Sequence, residues 1–249
     1  MAYPALEGRE GTVHLLPLGA TEPHGPHAPL ATDTLISVGI CRRAAERIRG
    51  EVDVLVLPEI SYGVTRYGAD FPGAIGISEE TLRSLVTEIC SGLDRVVLVN
   101  SHLEPEQVWT LRELGLPLLD VTRRANAERL TEEFRTGAGR AGRYETSLVL
   151  ADRPDLVDQA RMGTLEATMV DMPAAIRSGK TTFVAMGMAQ AYAGAPADAT
   201  AEEGERDSGI ASQPTAHPSN LVTASAWSWI GIVMNASSIW VDTSIIGRF

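Results

Sequence analysis

Two acid–imidazole pairs recur in this chain at the same spacing. Glu22 and His24 lie two apart within Gly19-Ala20-Thr21-Glu22-Pro23-His24-Gly25-Pro26-His27, and His102 and Glu104 lie two apart within Asn100-Ser101-His102-Leu103-Glu104. Each pair comes just after a short apolar run, and Asp33 follows the first pair. On an extended backbone, side chains two apart point the same way, so each pair presents a carboxylate and an imidazole together. With Asp33 they make about five convergent donors of the type that Zn, Mn or Fe accepts, enough for two divalent ions. A lone histidine is more often a satisfied core or loop residue, and Gly25, Pro26 and Pro29 would also suit a plain loop over 19–33. The second pair favours the metal reading, because each pair supplies the other's partners.

The elements that would carry these residues can be read from hydrophobic spacing. Residues 12–18, 52–57, 96–99 and 117–121 are short, near-continuous apolar runs, the pattern of strands buried on both faces of a sheet. Helical spacing runs over 34–49, with Asp33 at its start and Gly50 at its end. It recurs over 79–93, where Ser78 is an N-cap and Glu79 and Glu80 favour the first turn. Residues 105–115 and 122–134 suggest two more helices. Alternating strands and helices predict an α/β sandwich with a mostly parallel sheet. Ligands in such folds bind beyond the carboxyl ends of the strands, where both pairs fall. The stretch 136–143 is a glycine-rich loop without the Gly-Lys-Ser/Thr ending of a phosphate-binding loop, and reads as a mobile segment leading into a helix. Residues 193–220, rich in Ala, Gly, Pro and acidic residues, read as a surface excursion with one short helix.

Composition narrows the class. The chain has 249 residues, long enough for a substantial core in one domain spanning 1–249. Its net charge of −11 argues against nucleic acid or an anionic membrane as partner. Cys41 and Cys90 sit in apolar, helix-like contexts, so buried free thiols are expected. No basic segment followed by an apolar run opens the chain, and a cytoplasmic protein is the simplest expectation. Residues 221–241 are long enough to span a bilayer, but Asn235 and the many Ser and Thr favour a buried or subunit-facing helix, and no membrane partner is expected.

At this point the chain resembles the creatininase (creatinine amidohydrolase) family. The family's Gly-x-Thr-Glu-x-His-Gly-Pro-His-x-Pro-x-x-x-Asp motif is matched from Gly19 to Asp33. Further matches follow in order: Ile60-Ser61-Tyr62-Gly63, Phe71-Pro72-Gly73, Asn100-Ser101-His102, Glu145-Thr146-Ser147, Pro154-Asp155-Leu156-Val157, Ala191 to Pro196, and Ala199 to Gly204. The resemblance covers about 12–204 and leaves an apolar C-terminal segment, 205–249, outside the pattern. It implies a three-layer α/β/α domain, a homo-oligomer that is often a hexamer, and a binuclear centre that cleaves C–N bonds of cyclic amides, formamides or peptides. By position, Glu22, His24, Asp33, His102 and Glu104 would be the ligands, with Asp33 bridging. His27, Tyr62 and Leu103 fall in matched segments and are expected to face the substrate.

Two departures bear on the chemistry. The family's His-Ala-Gly-x-x-Glu-Thr-Ser reads Arg140-Ala141-Gly142-Arg143-Tyr144-Glu145-Thr146-Ser147, and a second family histidine appears as Gly68. An arginine stays protonated and is no ordinary general base. Glu145, a non-ligating carboxylate, or the substrate itself is then the candidate proton donor to the leaving nitrogen, and Arg140 and Arg143 are candidate forks for an anionic part of the substrate; a solvated loop is the alternative for both arginines. The expected function is metal-dependent hydrolysis of a small amide or short peptide. The alternative keeps the metal site for a non-hydrolytic biosynthetic step such as dehydration, cyclisation, amide formation or isomerisation.

Overall fold

The computed structural model describes residues 11–120, 130–135 and 139–210. Four strands form one sheet: β1 (Val13–Leu18), β2 (Val54–Val56), β3 (Val96–Asn100) and β4 (Leu118–Asp120). The order is β2-β1-β3-β4 and every pairing is parallel, so the expectation of a mostly parallel sheet holds among the described strands. Successive residues of the inner strands face opposite layers. Val13 and Leu15 of β1 and Val97 and Val99 of β3 pack with Ile36 and Cys41 of α1 (Thr32–Arg47). Leu16, Leu18, Val96 and Leu98 pack the other way, with Leu82 and Val86 of α2 (Glu79–Cys90) and Leu111 of α3 (Pro105–Glu113). Each such side chain, fully buried, contributes about 1.5–3 kcal/mol from removal of apolar surface from water. The result is the α/β sandwich that the alternation predicts, with the three layers that the family resemblance implies. Cys41 and Cys90 are buried and unbridged.

Helix limits follow the capping chemistry. The Ser78 hydroxyl accepts the Thr81 N–H at the start of α2. Pro105 opens α3, where its missing N–H costs nothing. Asp33 lies inside the first turn of α1 instead of ahead of it, a position the helix dipole favours.

Further along, α4 (Arg143–Asp152) packs on the α1 side of the sheet, and α5 (Ala201–Ile210) packs on α4. Two expectations are corrected here. Residues 201–208 are not a surface excursion: Glu203, Asp207 and Ser208 are buried, and a Cβ on Gly204 would lie 1.9 Å from the Ser147 carbonyl oxygen. Only a glycine permits that helix–helix approach. Of the loop expected to be mobile over 136–143, residues 136–138 lie outside the described residues, and the described part is pinned: Arg140 forms an antiparallel bridge with Ala193, whose N–H donates to the Arg140 carbonyl over 2.7 Å. Of the helix expected over 122–134, residues 121–129 lie outside the described residues and Glu132–Arg135 form one turn. The segment 221–241 also lies outside them. Among the described residues no helix is long and apolar enough to cross a membrane.

Candidate metal centre

β1 and β3 run side by side, with Leu18 paired to Asn100 at their carboxyl ends. The chain leaves each strand directly into one acid–imidazole pair. Gly19 is held against the start of α1, where a Cβ would lie 2.3 Å from the Thr34 nitrogen. This close approach brings Asp33 over the ends of both strands.

Glu22, His24, Asp33, His102 and Glu104 are all buried. The structure brings them into two groups, Glu22–His24–Asp33 and Glu22–His102–Glu104, with the ligand atoms of each group within 4.8 Å of one another. Asp33 lies between the imidazoles: its Oδ1 is 2.9 Å from His24 Nε2 and its Oδ2 is 2.9 Å from His102 Nδ1. Each ring is oriented from behind by a backbone carbonyl. His24 Nδ1 faces the Glu22 carbonyl oxygen at 3.0 Å, and His102 Nε2 faces that of Val64 at 2.8 Å. A proton held there leaves the other nitrogen of each ring to act as a ligand, the arrangement in which metal-binding histidines are found. One Glu22 oxygen, Oε2, is buried with no hydrogen-bond partner. A divalent cation would satisfy that orphaned atom and the clustered carboxylates, so the residues present fit a metal centre.

The electrostatics show what the cluster lacks. Burial opposes a charge on His102, yet the Glu22 and Asp33 carboxylates hold its pKa well above the imidazole range. Asp33, against the same burial, is held well below the carboxylate range by His24 and His102. Burial raises Glu104 to about 7, against His102, while both its oxygens accept backbone N–H groups: Arg66 at 2.8 and 2.9 Å and Tyr67 at 3.2 Å. Burial likewise raises Glu145 to about 7. Its Oε2 accepts the Ala141 N–H at 2.6 Å and lies 3.7 Å from His24 Nε2, which puts Glu145 at the edge of the centre.

Arg140 differs from its sequence reading. It is neither on a solvated loop nor free to fork onto a substrate, since it is 7% exposed and both terminal nitrogens are taken. Nη1 donates to Glu22 Oε1, Nη2 donates to the Pro23 carbonyl oxygen at 2.5 Å, and the guanidinium stacks 4.4 Å from the Phe183 ring centre. The two departures from the family pattern meet here: a Cβ on Gly68 would lie 3.3 Å from Glu22 Oε2 and 3.5 Å from the Phe183 ring. Arg143 is drawn elsewhere, with its guanidinium on Glu203 of α5 at 2.5 Å.

The other residues expected on the substrate side divide. His27 is buried; its Nε2 lies 2.9 Å from the Thr146 hydroxyl, and burial lowers its pKa to about 4, so it is neutral. Tyr62 is half exposed, and Leu103 packs against the core on the α1 side. Spacing alone did not single out Gln107. It is fully buried, and its amide donates to Asn100 Oδ1 at 2.8 Å while Asn100 donates to the His102 carbonyl at 2.6 Å, fixing the segment that carries His102. Its one sequence signal is a polar residue on the inner face of α3, three after Glu104. Phe183 had no signal at all.

This geometry can be set beside known proteins. A family model described as creatinine amidohydrolase matches residues 1–213. The chain belongs to the creatininase family. It is 34% identical over 203 residues to a mycofactocin precursor peptide peptidase of Mycobacterium ulcerans (strain Agy99), covering 77% of this chain and 78% of that protein. It is 32% identical over 190 residues to the creatinine amidohydrolase of Pseudomonas putida, covering 64% and 72%. Among solved structures, a mutant creatininase of Zn–Zn type superimposes with a TM-score of 0.65 at 28% identity, covering 84% of this chain and 90% of that one. A manganese form of creatininase gives 0.61 at 29% identity, covering 84% and 91%. The chain is accordingly a metal-dependent hydrolase of C–N bonds.

Proposed function

We propose that this chain hydrolyses an amide bond of a short peptide, using two divalent ions held by Glu22, His24, Asp33, His102 and Glu104, with Asp33 between them. The observation that carries this reading is the paired donor groups that share Glu22, with Asp33 placed between the two imidazoles. Zinc and manganese suit this mixed carboxylate and imidazole set, and iron would also be accepted. When bound, the ions polarise the scissile carbonyl and activate water at neutral pH. A peptide is favoured over a compact ring by the 34% identity to a mycofactocin precursor peptide peptidase.

The proton for the leaving nitrogen comes from Glu145. The Ala141 N–H occupies Oε2, so the proton sits on Oε1, and a pKa of about 7 leaves the acid form populated at neutral pH. Arg140 stays protonated and moves no proton; it holds Glu22 in place.

The test is to incubate metal-loaded protein with a panel of short peptides and with creatinine, and to identify products by mass spectrometry. Peptide cleavage with addition of one water, lost in Asp33→Ala, is the expected result. Turnover that forms or rearranges bonds without adding water would overturn the hydrolytic reading.

A further inference from the structure

The backbone that carries Arg140 belongs to a small ribbon with a free edge. Thr168 and Gly194 exchange both backbone hydrogen bonds: the Thr168 N–H donates to the Gly194 carbonyl at 2.9 Å, and the Gly194 N–H donates to the Thr168 carbonyl at 2.6 Å. Ala193, one residue before, bridges on its other side to Arg140, so three extended stretches run side by side from Arg140 through Ala193 and Gly194 to Thr168. In an antiparallel pair of this kind, the residues flanking the bonded one turn their N–H and C=O groups the opposite way. Ala167 and Met169 therefore point theirs away from Gly194, and among the described residues neither backbone has a hydrogen-bond partner. The edge is open, since Glu166 and Ala167 are exposed and Met169 is 67% exposed. It is also held in place. The Tyr192 hydroxyl donates to the Glu166 carbonyl at 2.9 Å, and Val170 packs against the cluster that contains Phe183, the ring stacked on the Arg140 guanidinium. Its charge is acidic. No basic residue lies between Arg161 and Arg177, and the Glu166 carboxylate has no ion-pair partner among the described residues.

We propose that the edge over 166–170 is the docking strand for the substrate: an extended basic peptide adds to it, its backbone pairing with Ala167 and Met169 and a cationic side chain meeting Glu166. The inference rests on the peptide reading above and states where such a substrate is gripped. In strand addition the main-chain hydrogen bonds give affinity and alternate side chains give selection. Selection here has two parts. An apolar side chain of the peptide covers Met169, and Glu166 draws a Lys or Arg, in keeping with the net charge of −11. The ribbon also sets a length. Paired strands lie about 4.8 Å apart, so a docked peptide lies three spacings, roughly 14 Å, from the Arg140 backbone. Extended chain advances about 3.3 Å per residue, so about four residues separate the docked stretch from the bond cleaved at the centre. A dipeptide reaches the centre without touching the edge.

The test uses full-length, metal-loaded protein and a labelled probe with blocked termini, Thr-Arg-Val-Arg-Thr, read by fluorescence anisotropy. Five residues fill the edge without reaching the centre. The probe should bind about fivefold or more tightly than its Thr-Glu-Val-Glu-Thr counterpart, the size of an exposed charge pair gained in one and repelled in the other. N-methylation of one probe amide at a time should weaken binding at alternate positions and spare those between, because only every second residue turns its N–H to the edge. Each effective methylation, and Ala167→Pro or Met169→Pro in the protein, removes one backbone bond and should weaken binding by about three- to tenfold. Neither proline breaks a hydrogen bond within the protein. Should a proline variant fail to fold, the methylation series on wild type decides the matter. Placing the same five residues about four positions from the scissile bond of a cleaved peptide should lower KM by about tenfold and leave kcat unchanged, and Ala167→Pro should remove much of that gain. Equal binding of the two probes, or a methylation series without alternation, would overturn the docking strand and leave the cleavage of short peptides standing. Alternating probe binding by a protein that cleaves no peptide would overturn the substrate role together with the peptide reading.

Discussion

Asp33 contacts both imidazoles, so its removal cannot be a local event. Asp33→Ala should lose both ions in elemental analysis, because both coordination spheres lose a donor at once. Glu145→Gln should keep its metal and its fold but lose about 10²–10⁴-fold in kcat, the usual contribution of a positioned proton donor. The pH dependence has a definite sign. Burial raises the Glu145 pKa to about 7, and the acid form is the donor, so kcat should fall as pH rises through about 7, and this limb should vanish in Glu145→Gln. The spacing of the carboxylate–imidazole pairs drew attention to Glu22, His24, His102 and Glu104 because two-residue periodicity is a local property of extended chain. What lies between them was not legible in the same way. The contact of Arg140 with Glu22 joins positions 118 apart, and Arg140 reads from sequence as a loop arginine. The ring beneath it, Phe183, belongs to a small cluster with Tyr67, Met186 and Met188 whose members follow no common period.

At the scale of elements, the strands were legible because a strand covered on both faces must be apolar throughout. The sheet layers follow from the same rule, and Leu98→Ala should cost about 2–5 kcal/mol in denaturant unfolding, since the side chain is fully buried. The packing of α5 was not legible, because its Gly, Ser and acidic residues read as solvated chain. It packs because Gly204 lets two backbones meet, and Gly204→Ala should cost at least about 1–3 kcal/mol by the same measurement. Asp207 adds a pH dependence to this contact. Burial raises its pKa from the ordinary 3.8 to about 6, so the folded state prefers the acid form. The stability from this group is present at low pH and lost as pH rises towards and through about 6. Asp207→Asn should therefore raise Tm at pH 8 and leave it nearly unchanged at pH 4.

For the molecule as a whole, metal removal should be a stability measurement as well as a functional one. Stripping the ions leaves Glu22, Asp33, Glu104 and Glu145 buried together, so Tm should fall and should recover with added Zn²⁺ in a concentration-dependent way. The apolar segment 221–241, expected to pack in a subunit interface, gives a second test. Truncation after Pro218 should yield a smaller particle by light scattering, whereas an unchanged assembly would assign the segment to burial within one chain. The parallel sheet also orders events in time. The donors come from both sides of a crossover: His102 meets Asp33 across 69 positions, and Arg140 meets Glu22 across 118. Contacts so distant along the chain form only after their connecting loops have closed, which is slow for parallel strands. A ribosome-bound chain that has not yet exposed residue 102 lacks the second donor group, Glu22–His102–Glu104. Completing the centre is thus a late act of maturation, and a chelator present during refolding should leave the early gain of helical circular dichroism unaltered while blocking the final step to the fully metal-loaded state.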